Sequence, residues 1–334
     1  MLTQKPILAR SGRFAVDAIA PSVVGAFVTP GSIRRDGAAL QIAPHESTPP
    51  GHFVAFQLLR HDGSGLRAYD TLRQGSLVAG MLRNATSRIA RAAGWTDEKI
   101  AAFVLGHREA NGEAHRPVGP DRFSYIPLPS IESRGQGRAA VVDRVRRALV
   151  AVMAGDHDEE TEWAAAAMSG MELIDEHSGK VSAVLSLIPR NEEMVQRYLR
   201  QSAVWSTVTP MVLPGYDDPN HYRRRLKQGT TADEKKRLLA HLESRTDGLI
   251  RKAIVQAGFS GELAQHAEVD WRGVGFWPGC DLAMRYTVPA KLRRFPRLHV
   301  RIHWKDARGD AVGISGPICI GGGRFVGLGL LAPE

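Results

Sequence analysis

Cysteine is almost missing from this sequence. Only two of the 334 residues are cysteines, Cys280 and Cys319, and they lie far apart with no C-x-x-C motif. A disulfide framework and a cysteine-based zinc site are therefore not expected, and the composition fits a reducing cytoplasm. No uninterrupted apolar run approaches the roughly 18 residues that a membrane span requires. We therefore expect a cytoplasmic protein without a membrane partner.

Acidic residues are outnumbered by basic ones. The chain has 35 Asp and Glu against 44 Lys and Arg, which gives a formal net charge of +9. Such an excess favours a polyanionic partner, either nucleic acid or an acidic membrane surface. A generally basic proteome would give the same excess, so the distribution of charge along the chain has to decide.

One long segment has no acid at all. Residues 291–305, KLRRFPRLHVRIHWK, contain six Lys or Arg, two His and no carboxylate. Alternate side chains of a strand point to opposite faces, so this segment has one apolar and one basic face. A solvated face usually mixes both signs of charge, which favours nucleic acid here. We predict RNA contacts from Lys291, Arg293, Arg294, His299, Arg301, His303 and Lys305.

Spacings typical of metal ligands are also missing. The two histidines of the basic segment, His299 and His303, are four residues apart. Four residues of an extended strand span about 13 Å, which is too far for two ligands of one ion. We therefore predict neither a metal site nor a cofactor.

A second basic stretch precedes the longest predicted helix. The segment HYRRRLK, residues 221–227, combines three arginines and a lysine with a tyrosine. Arginine and lysine contact phosphates, and an aromatic ring can stack on a base. We predict RNA contacts from Tyr222, Arg223, Arg224, Arg225 and Lys227.

Glycine is abundant near residue 334. The stretch GPICIGGGRFVGLGLLAPE, residues 316–334, has six glycines among strand-forming residues. Only five residues follow Gly329, and Pro333 is one of them, so this is not a phosphate loop that opens a helix. We interpret it as a loop that RNA backbone approaches closely; the alternative is a bulged edge strand packed on protein. The residues assigned to RNA are Gly321, Gly322, Gly323, Arg324, Gly327 and Gly329.

The chain reads as an extended leader followed by two mixed α/β halves. The first fifty residues are rich in Gly, Pro and Ala, and we assign domains to 51–195 and 196–334. Hydrophobic periodicity predicts the order β-α-α-β-β-α-β and then β-α-β-β-β. The first half has strands at 52–60, 123–131, 144–153 and 179–188, helices at 70–94 and 96–106, and a loop at 107–122. A third helix begins in the acidic run DHDEETEW, residues 156–163, which we interpret as a solvated helix start. In the second half a capping box, Thr231 with Glu234, opens a helix that ends at Gly258, between strands at 205–214, 262–271, 296–305 and 316–334. This pattern predicts an α+β protein with two ferredoxin-like (RRM-like) domains in tandem.

Several of these motifs resemble one family of CRISPR-associated proteins. The stretch GPICIGGGRFVGLGLL is similar to the glycine-rich loop of the RAMP superfamily. The stretches WSTVTPMVLPG, GHREANGEAHRP and FSYIPLP resemble more specifically the type I-U (or I-G) fused backbone-and-processing subunit. The resemblance covers residues 50–334 and corresponds to the processing half, because relatives usually carry a backbone-type module ahead of it.

This resemblance implies a function. Such proteins bind CRISPR repeat RNA, work with other subunits of a type I effector complex, and cleave without a metal ion: the 2′-hydroxyl attacks the adjacent phosphate and leaves a 2′,3′-cyclic phosphate. Histidine can act as base or acid near neutral pH, and cations hold the developing charge. Our catalytic candidates are His107 and His115, which share a loop with the predicted RNA ligands Arg108 and Arg116. Secondary candidates are Ser124 and Tyr125; Asp121 and Arg122 stand where relatives often have further histidines.

Two other interpretations remain open at the level of sequence. A non-catalytic RNA-binding subunit of the effector complex would need the basic strand and the glycine loop but no histidine. A small-molecule enzyme on a ferredoxin-like scaffold would explain the glycines poorly and the basic strand not at all. Cleavage of repeat RNA in EDTA separates the first of these from a nuclease.

Overall fold

The first half of the chain is built on a five-stranded antiparallel sheet. The computed structural model describes residues 52–110, 113–117, 119–133, 135, 139–215, 224–228 and 231–334. The predicted leader therefore lies outside the described residues. In chain order the first half consists of β1 (His52–Leu59), α1 (Thr71–Ala92), α2 (Asp97–Lys99), a π-helical turn (Ile100–Leu105), β2 (His107–Ala110), β3 (Glu113–Pro117), β4 (Phe123–Ser133), β5 (Ala140–Val152), α3 (Asp158–Met168), β6 (Glu172–Ile174) and β7 (Val181–Ile188). The sheet has the order β4-β5-β1-β7-β6.

Local sequence explains the first helix and its end. The Asp70 side chain accepts a hydrogen bond from the Arg73 N–H at 2.8 Å, which caps the start of α1. The helix buries Val78, Met81 and Leu82 on the face that the 3.6-residue period predicts.

The segment 107–122, predicted as a loop, contains strands, since β2 and β3 form a two-stranded hairpin. This segment has no apolar alternation, so periodicity could not indicate its strands.

The second half contains another antiparallel sheet. It consists of α4 (Glu193–Leu199), β8 (Val204–Thr207), β9 (Met211–Val212), α5 (Ala232–Gln256), α6 (Gly261–His266), β10 (Glu268–Arg272), β11 (Arg297–His303), β12 (Ile318–Cys319) and β13 (Leu330–Pro333), with 3-10 turns at Ala283–Arg285, Ala290–Leu292 and Arg324–Val326. Its main path has the order β10-β11-β8-β13-β12, and β9 pairs with β11.

The capping box that the sequence predicts is present in α5. Thr231 accepts from the Glu234 N–H at 3.3 Å, and Glu234 accepts from the Thr231 N–H at 2.9 Å. The strand predicted for 262–271 is wrong in its first half, because α6 occupies that position. Ser260 caps α6 by accepting from the Leu263 N–H at 3.1 Å, and this side-chain bond outweighs the weak strand pattern.

Apolar clusters organise these elements into layers. Helices α1 and α3 share one cluster with one face of the first sheet, and α5 and α6 share another with the second sheet. A third cluster joins β1, β4 and β5 to α4, β12 and β13, so the two sheets are packed together. The mixed architecture with antiparallel sheets confirms the α+β class. The domain boundary at residue 195 stays a prediction and falls inside α4.

None of the helices in the described residues has the length and apolar character to cross a bilayer. The longest of them, α5, has both acids and bases in its first turns and buries only part of its surface.

Candidate nucleic-acid interface

Strand β11 buries the apolar face that alternation predicts. Val300, Ile302 and Trp304 are fully buried in the cluster beneath α5 and α6. The other face is only partly exposed. Arg301 and His303 are half-buried, and the adjoining Lys305 is half-buried as well.

His299 does not lie on an exposed face. It is fully buried, and its Nε2 lies 3.0 Å from the Asp281 carbonyl while its Nδ1 lies 3.1 Å from the Thr207 hydroxyl. The carbonyl can only accept, so Nε2 carries the proton and Nδ1 accepts from Thr207. Burial lowers the pKa of His299 to about 4, which keeps the ring neutral at pH 7. The segment between β10 and β11 covers this position, and the alternation pattern carries no information about that cover.

Two of the predicted cations on β11 have carboxylate partners. Arg301 Nη2 lies 2.8 Å from Glu334, and Lys305 Nζ lies 2.6 Å from Glu268. The Arg301 guanidinium also lies over the Phe276 ring, 4.5 Å from its centroid. Glu268 belongs to the neighbouring strand β10, and Glu334 directly follows β13. The segment 291–305 therefore has no acid in its own sequence, but acids from elsewhere in the chain lie beside it.

The glycine loop is packed mainly against protein. A Cβ added to five of its six glycines would overlap neighbouring atoms; these are Gly316, Gly321, Gly323, Gly327 and Gly329. At Gly327 the obstacle is Pro127 of β4, and φ is +76°, a value that favours glycine. Gly322 differs, because it is exposed and its nearest neighbour would be 3.6 Å away. Close packing therefore explains five of these glycines, and Gly322 alone is both exposed and free of such packing.

Arg324 is buried inside the loop. Its Nη1 donates to the Gly321 carbonyl at 3.2 Å, and its guanidinium lies over the Phe325 ring, 4.3 Å from the centroid. Its Nε is buried without a hydrogen-bond partner. Burial lowers the pKa of Arg324. Such an arrangement costs free energy, because a charge is taken out of water with few compensating contacts.

Arg122 meets the same ring from the first half of the chain. Its guanidinium lies 3.4 Å from the Phe325 centroid and occupies the space where a Cβ would stand at residue 106. Gly106 has φ +78° and ends the π-helical turn, so glycine is required there on both counts. Burial, followed by repulsion from Arg324, lowers the pKa of Arg122 to about 10. Sequence reasoning did not select Arg122, because nothing around it marks a basic surface.

The hairpin with both catalytic candidates starts at His107, directly after Gly106. His107 lies opposite Pro117 and Arg108 opposite Arg116, and a bulge interrupts the register between Arg108 and Ala110. The position of the hairpin therefore brings the backbone of β2 next to the Arg122 guanidinium. The side chains of Arg108, His115 and Arg116 lie outside the described residues.

A histidine outside the predictions pairs with Asp121, which lies between the hairpin and β4. His157 pairs through Nε2 with Asp121 and through Nδ1 with Glu160, the latter at 3.1 Å. Burial of the ring opposes its charge, but the hydrogen bonds that the ring makes to Asp121 and Glu160 outweigh that effect and raise the pKa of His157. With both nitrogens engaged, His157 links Asp121 to Glu160 of α3. The acidic run that supplies Glu160 is more than a solvated start of α3.

The secondary candidates belong to the core. Ser124 and Tyr125 are both buried, and Tyr125 donates to the Val104 carbonyl at 3.3 Å. Burial raises the pKa of Tyr125. A phenol in this position stabilises the packing of β4 against the π-helical turn and does not face solvent.

The remaining predicted cations are on the surface. Lys291, Arg293 and Arg294 are exposed in and after the turn Ala290–Leu292, and Arg224, Arg225 and Lys227 are exposed in a single helical turn. Tyr222 and Arg223 lie outside the described residues. Although Lys291 is exposed, partial desolvation of its amine, followed by repulsion from Arg83 and Arg122, lowers its pKa.

Within the described residues, one group of side chains could hold a metal ion. His52, Asp156 and Asp158 offer ligand atoms that all lie within 4.8 Å of one another. His52 Nδ1 is already 2.7 Å from Asp158, and both carboxylates are exposed. The arrangement is that of an ordinary surface pair between histidine and carboxylate beside α3.

A family model matches nearly all of the described chain. The model described as CRISPR-associated protein, GSU0054 family, matches residues 23–333. No curated protein matches the chain.

Proposed function

Because the chain belongs to the CRISPR-associated GSU0054 family, we propose that it binds CRISPR repeat RNA and cleaves it without a metal ion. One observation carries the step from family to activity. The hairpin with His107 and His115 directly follows Gly106, where the Arg122 guanidinium lies against the backbone. This supports a site in which the candidate proton-transfer groups of the hairpin act with Arg122, a cation that faces no described carboxylate.

Cleavage would proceed by internal attack of the RNA. The 2′-hydroxyl loses its proton to a base and attacks the adjacent phosphorus, while the bond from phosphorus to the 5′-oxygen breaks and that oxygen takes a proton from an acid. One histidine of the hairpin would act as base, and the other as acid. Arg122, with Arg108 and Arg116, would stabilise the charge on the phosphorane oxygens. The products are a 2′,3′-cyclic phosphate and a 5′-hydroxyl.

The pairing orders support two ferredoxin-like domains. Four strands of the first sheet have the order β4-β5-β1-β7, and four strands of the second sheet have the order β10-β11-β8-β13. In both sheets the order is second, third, first and fourth strand of the unit. A β-α-β-β-α-β unit gives this order; in the second half, the glycine loop stands where the last helix would be. We assign this chain to the processing half of a fused type I-U (or I-G) subunit, as a RAMP-superfamily protein.

The proposed RNA surface extends from the hairpin across the second half. It includes Gly322, the exposed cations of residues 224–227 and 291–294, and Tyr222 and Arg223, which directly precede Arg224 in the sequence. Arg301 and Lys305 join it only when phosphate displaces Glu334 and Glu268. We propose that the protein acts in the cytoplasm with other subunits of a type I effector complex.

Single-turnover cleavage of repeat RNA in EDTA tests the nuclease proposal. We expect a cyclic phosphate product, and no cleavage when the 2′-hydroxyl upstream of the scissile phosphate is replaced by hydrogen. A general acid or base contributes about 10²–10⁴-fold, so His107→Ala or His115→Ala should slow cleavage by that order with RNA affinity nearly intact. His177→Ala, at an exposed turn, is the matched control.

Two results would overturn parts of this proposal. Full activity of the double variant His107→Ala/His115→Ala would remove both histidines from the mechanism. Absence of cleavage by the unaltered protein, in EDTA and with divalent ions, would leave a non-catalytic RNA-binding subunit as the better reading of the same surface.

A further inference from the structure

Four cations from separate parts of the chain meet around the glycine loop. Arg122 and Arg324 lie over the same ring, Phe325. The turn Arg324–Val326 packs against α1, which carries Arg83, and against β4, which Arg122 directly precedes. Partial desolvation, followed by repulsion from Arg83 and Arg122, lowers the pKa of Lys291; burial, followed by repulsion from Arg324, lowers the pKa of Arg122.

A small apolar cluster fixes the position of Lys291. Val288, Leu292 and Phe295 pack with Val326 and Leu328 of the glycine loop. The turn Ala290–Leu292 is therefore held against the loop from outside, and its lysine lies near the two arginines. Packing of these apolar side chains thus keeps Lys291 close to the glycine loop, although the two are far apart in sequence.

None of these four cations has an acidic partner in the part of the chain that the structure describes. Arg146, Arg147, Arg251, Arg285 and Arg301, by contrast, each pair with a carboxylate. Arg122 and Arg324 each have a buried Nε without a hydrogen-bond partner. Charges of one sign repel at close range, and a buried polar atom without a partner costs free energy.

We infer that Arg83, Arg122, Lys291 and Arg324 form a binding site for the phosphodiester backbone of RNA at the junction of the two sheets. The proposal rests on the proposed function in one respect, the choice of RNA as the polyanion. An anion at this position would offset repulsion among all four cations, and guanidinium groups match phosphate geometry with paired N–H donors. Because Arg122 borders the hairpin, the site would hold a phosphate next to the cleavage site and fix the register of the RNA.

Phe325 has a separate role in this site. The two guanidinium groups rest on its ring, so the ring orients them and is not available to stack on a base. The site should therefore bind backbone without regard to base identity. Sequence preference for the repeat would have to come from elsewhere on the surface.

The test uses a short single-stranded RNA that lacks the repeat sequence and is not a substrate. Its affinity is measured at several salt concentrations for the full chain, for Arg83→Gln, for Lys291→Gln and for the double variant. Each phosphate contact on a single strand contributes about 0.7 to the slope of log K against log salt, so the double variant should lose about 1.4 from it. Its affinity should fall by about a hundredfold, since each of the two lost charge-assisted hydrogen bonds is worth about 1.5 kcal/mol, which is about tenfold in affinity.

Two further measurements keep the test decisive. Arg308→Gln removes the same charge from an exposed turn, where Arg308 pairs with Asp306, and should leave affinity and slope nearly unchanged. Arg83 is half-buried and Lys291 is exposed, so these variants should fold, which their thermal unfolding would verify. An unchanged salt slope in the folded double variant would overturn the site. Loss of poly-glutamate binding with full retention of RNA binding would also overturn it, in favour of an acidic protein segment as the ligand.

The site and the nuclease proposal can fail separately. Normal cleavage with unchanged RNA affinity in the double variant would reject the phosphate site and leave the nuclease proposal intact. Salt-dependent binding through the four cations, together with no cleavage of repeat RNA, would reject the nuclease and leave the phosphate site standing.

Discussion

The outer face of β11 and the junction around Phe325 are both rich in cations, but their charges have different surroundings. On β11, Arg301 and Lys305 each have a carboxylate within 2.8 Å. At the junction, Arg122 and Arg324 have an aromatic ring and each other, with no acid among the described residues. A polyanion gains more from a cation that lacks a counter-charge, because no ion pair has to be broken first. Basic residues in a sequence therefore indicate an interface only after their partners are known.

Substitution of two loop glycines gives the largest expected effect on this comparison. Gly327→Val forces a branched side chain into a left-handed conformation and against Pro127. We expect a loss of about 2–5 kcal/mol in the free energy of unfolding, from backbone strain and overpacking. Gly322→Val, at the exposed position, should change stability by only about 0.5 kcal/mol. Urea unfolding of both variants measures this.

These glycine variants also sharpen the assignment of the loop. If RNA backbone approaches Gly322, the folded Gly322→Val variant should bind repeat RNA more weakly than the unaltered chain. Equal stability of the two variants would contradict the packing of Gly327 against β4. Unchanged RNA affinity of Gly322→Val would restrict the RNA contacts of the loop to its cations.

Replacement of His299 tests the buried part of the β11 face. In His299→Phe the Asp281 carbonyl and the Thr207 hydroxyl lose their partner, so we expect a loss of about 1–3 kcal/mol at pH 7. The pKa of about 4 in the folded chain lies below the usual value of about 6.5. The unfolded chain therefore binds a proton first, and this histidine makes the folded state less stable as pH falls from about 6.5 to about 4.

The pH dependence distinguishes this role from simple packing. Stability of the unaltered chain, measured by urea unfolding between pH 7 and pH 4.5, should fall more steeply than that of His299→Phe. Parallel curves for the two proteins would mean that His299 becomes protonated in the folded state as readily as in the unfolded state, and would argue for an exposed ring.

Removal of the acids on the β11 face has the smallest expected effect. Glu334→Gln with Glu268→Gln would free Arg301 and Lys305, so affinity for RNA should rise by a few fold and the salt slope should steepen by up to about 1.4. Glu98→Gln removes an exposed acid elsewhere and serves as control. Unchanged affinity in the double variant would exclude this face from the RNA surface and leave the junction as the main basic site.

Local patterns in the sequence predicted most elements of the fold. The period of α1, the capping box of α5 and the apolar face of β11 depend on residues within a few positions of one another, and all three are present. The strand predicted at 262–266 was wrong because one cap, Ser260, outweighed a weak alternation.

The site depended on contacts that sequence distance conceals. Glu268 of β10 pairs with Lys305 after β11, and Arg122 of the first half contacts Phe325 of the second half. Neither contact has a signal in the local sequence. The glycines suggested close approach by something large, and the partner of Gly327 is Pro127 of the same chain. Spacing indicates which residues share a face, but it does not indicate what covers that face.

The pairing of β8 with β13 also constrains the order in which the two sheets can fold during synthesis. Trp205 of β8 lies opposite Pro333, so the second sheet cannot be completed before residue 333 leaves the ribosome. The strands of the first sheet all lie within residues 52–188, and that sheet can form much earlier. Until the second sheet forms, the apolar face of the first sheet with Phe53, Leu128 and Leu149 is exposed to solvent. Nascent chains should need protection there against aggregation, and limited proteolysis of ribosome-stalled chains would reveal that interval.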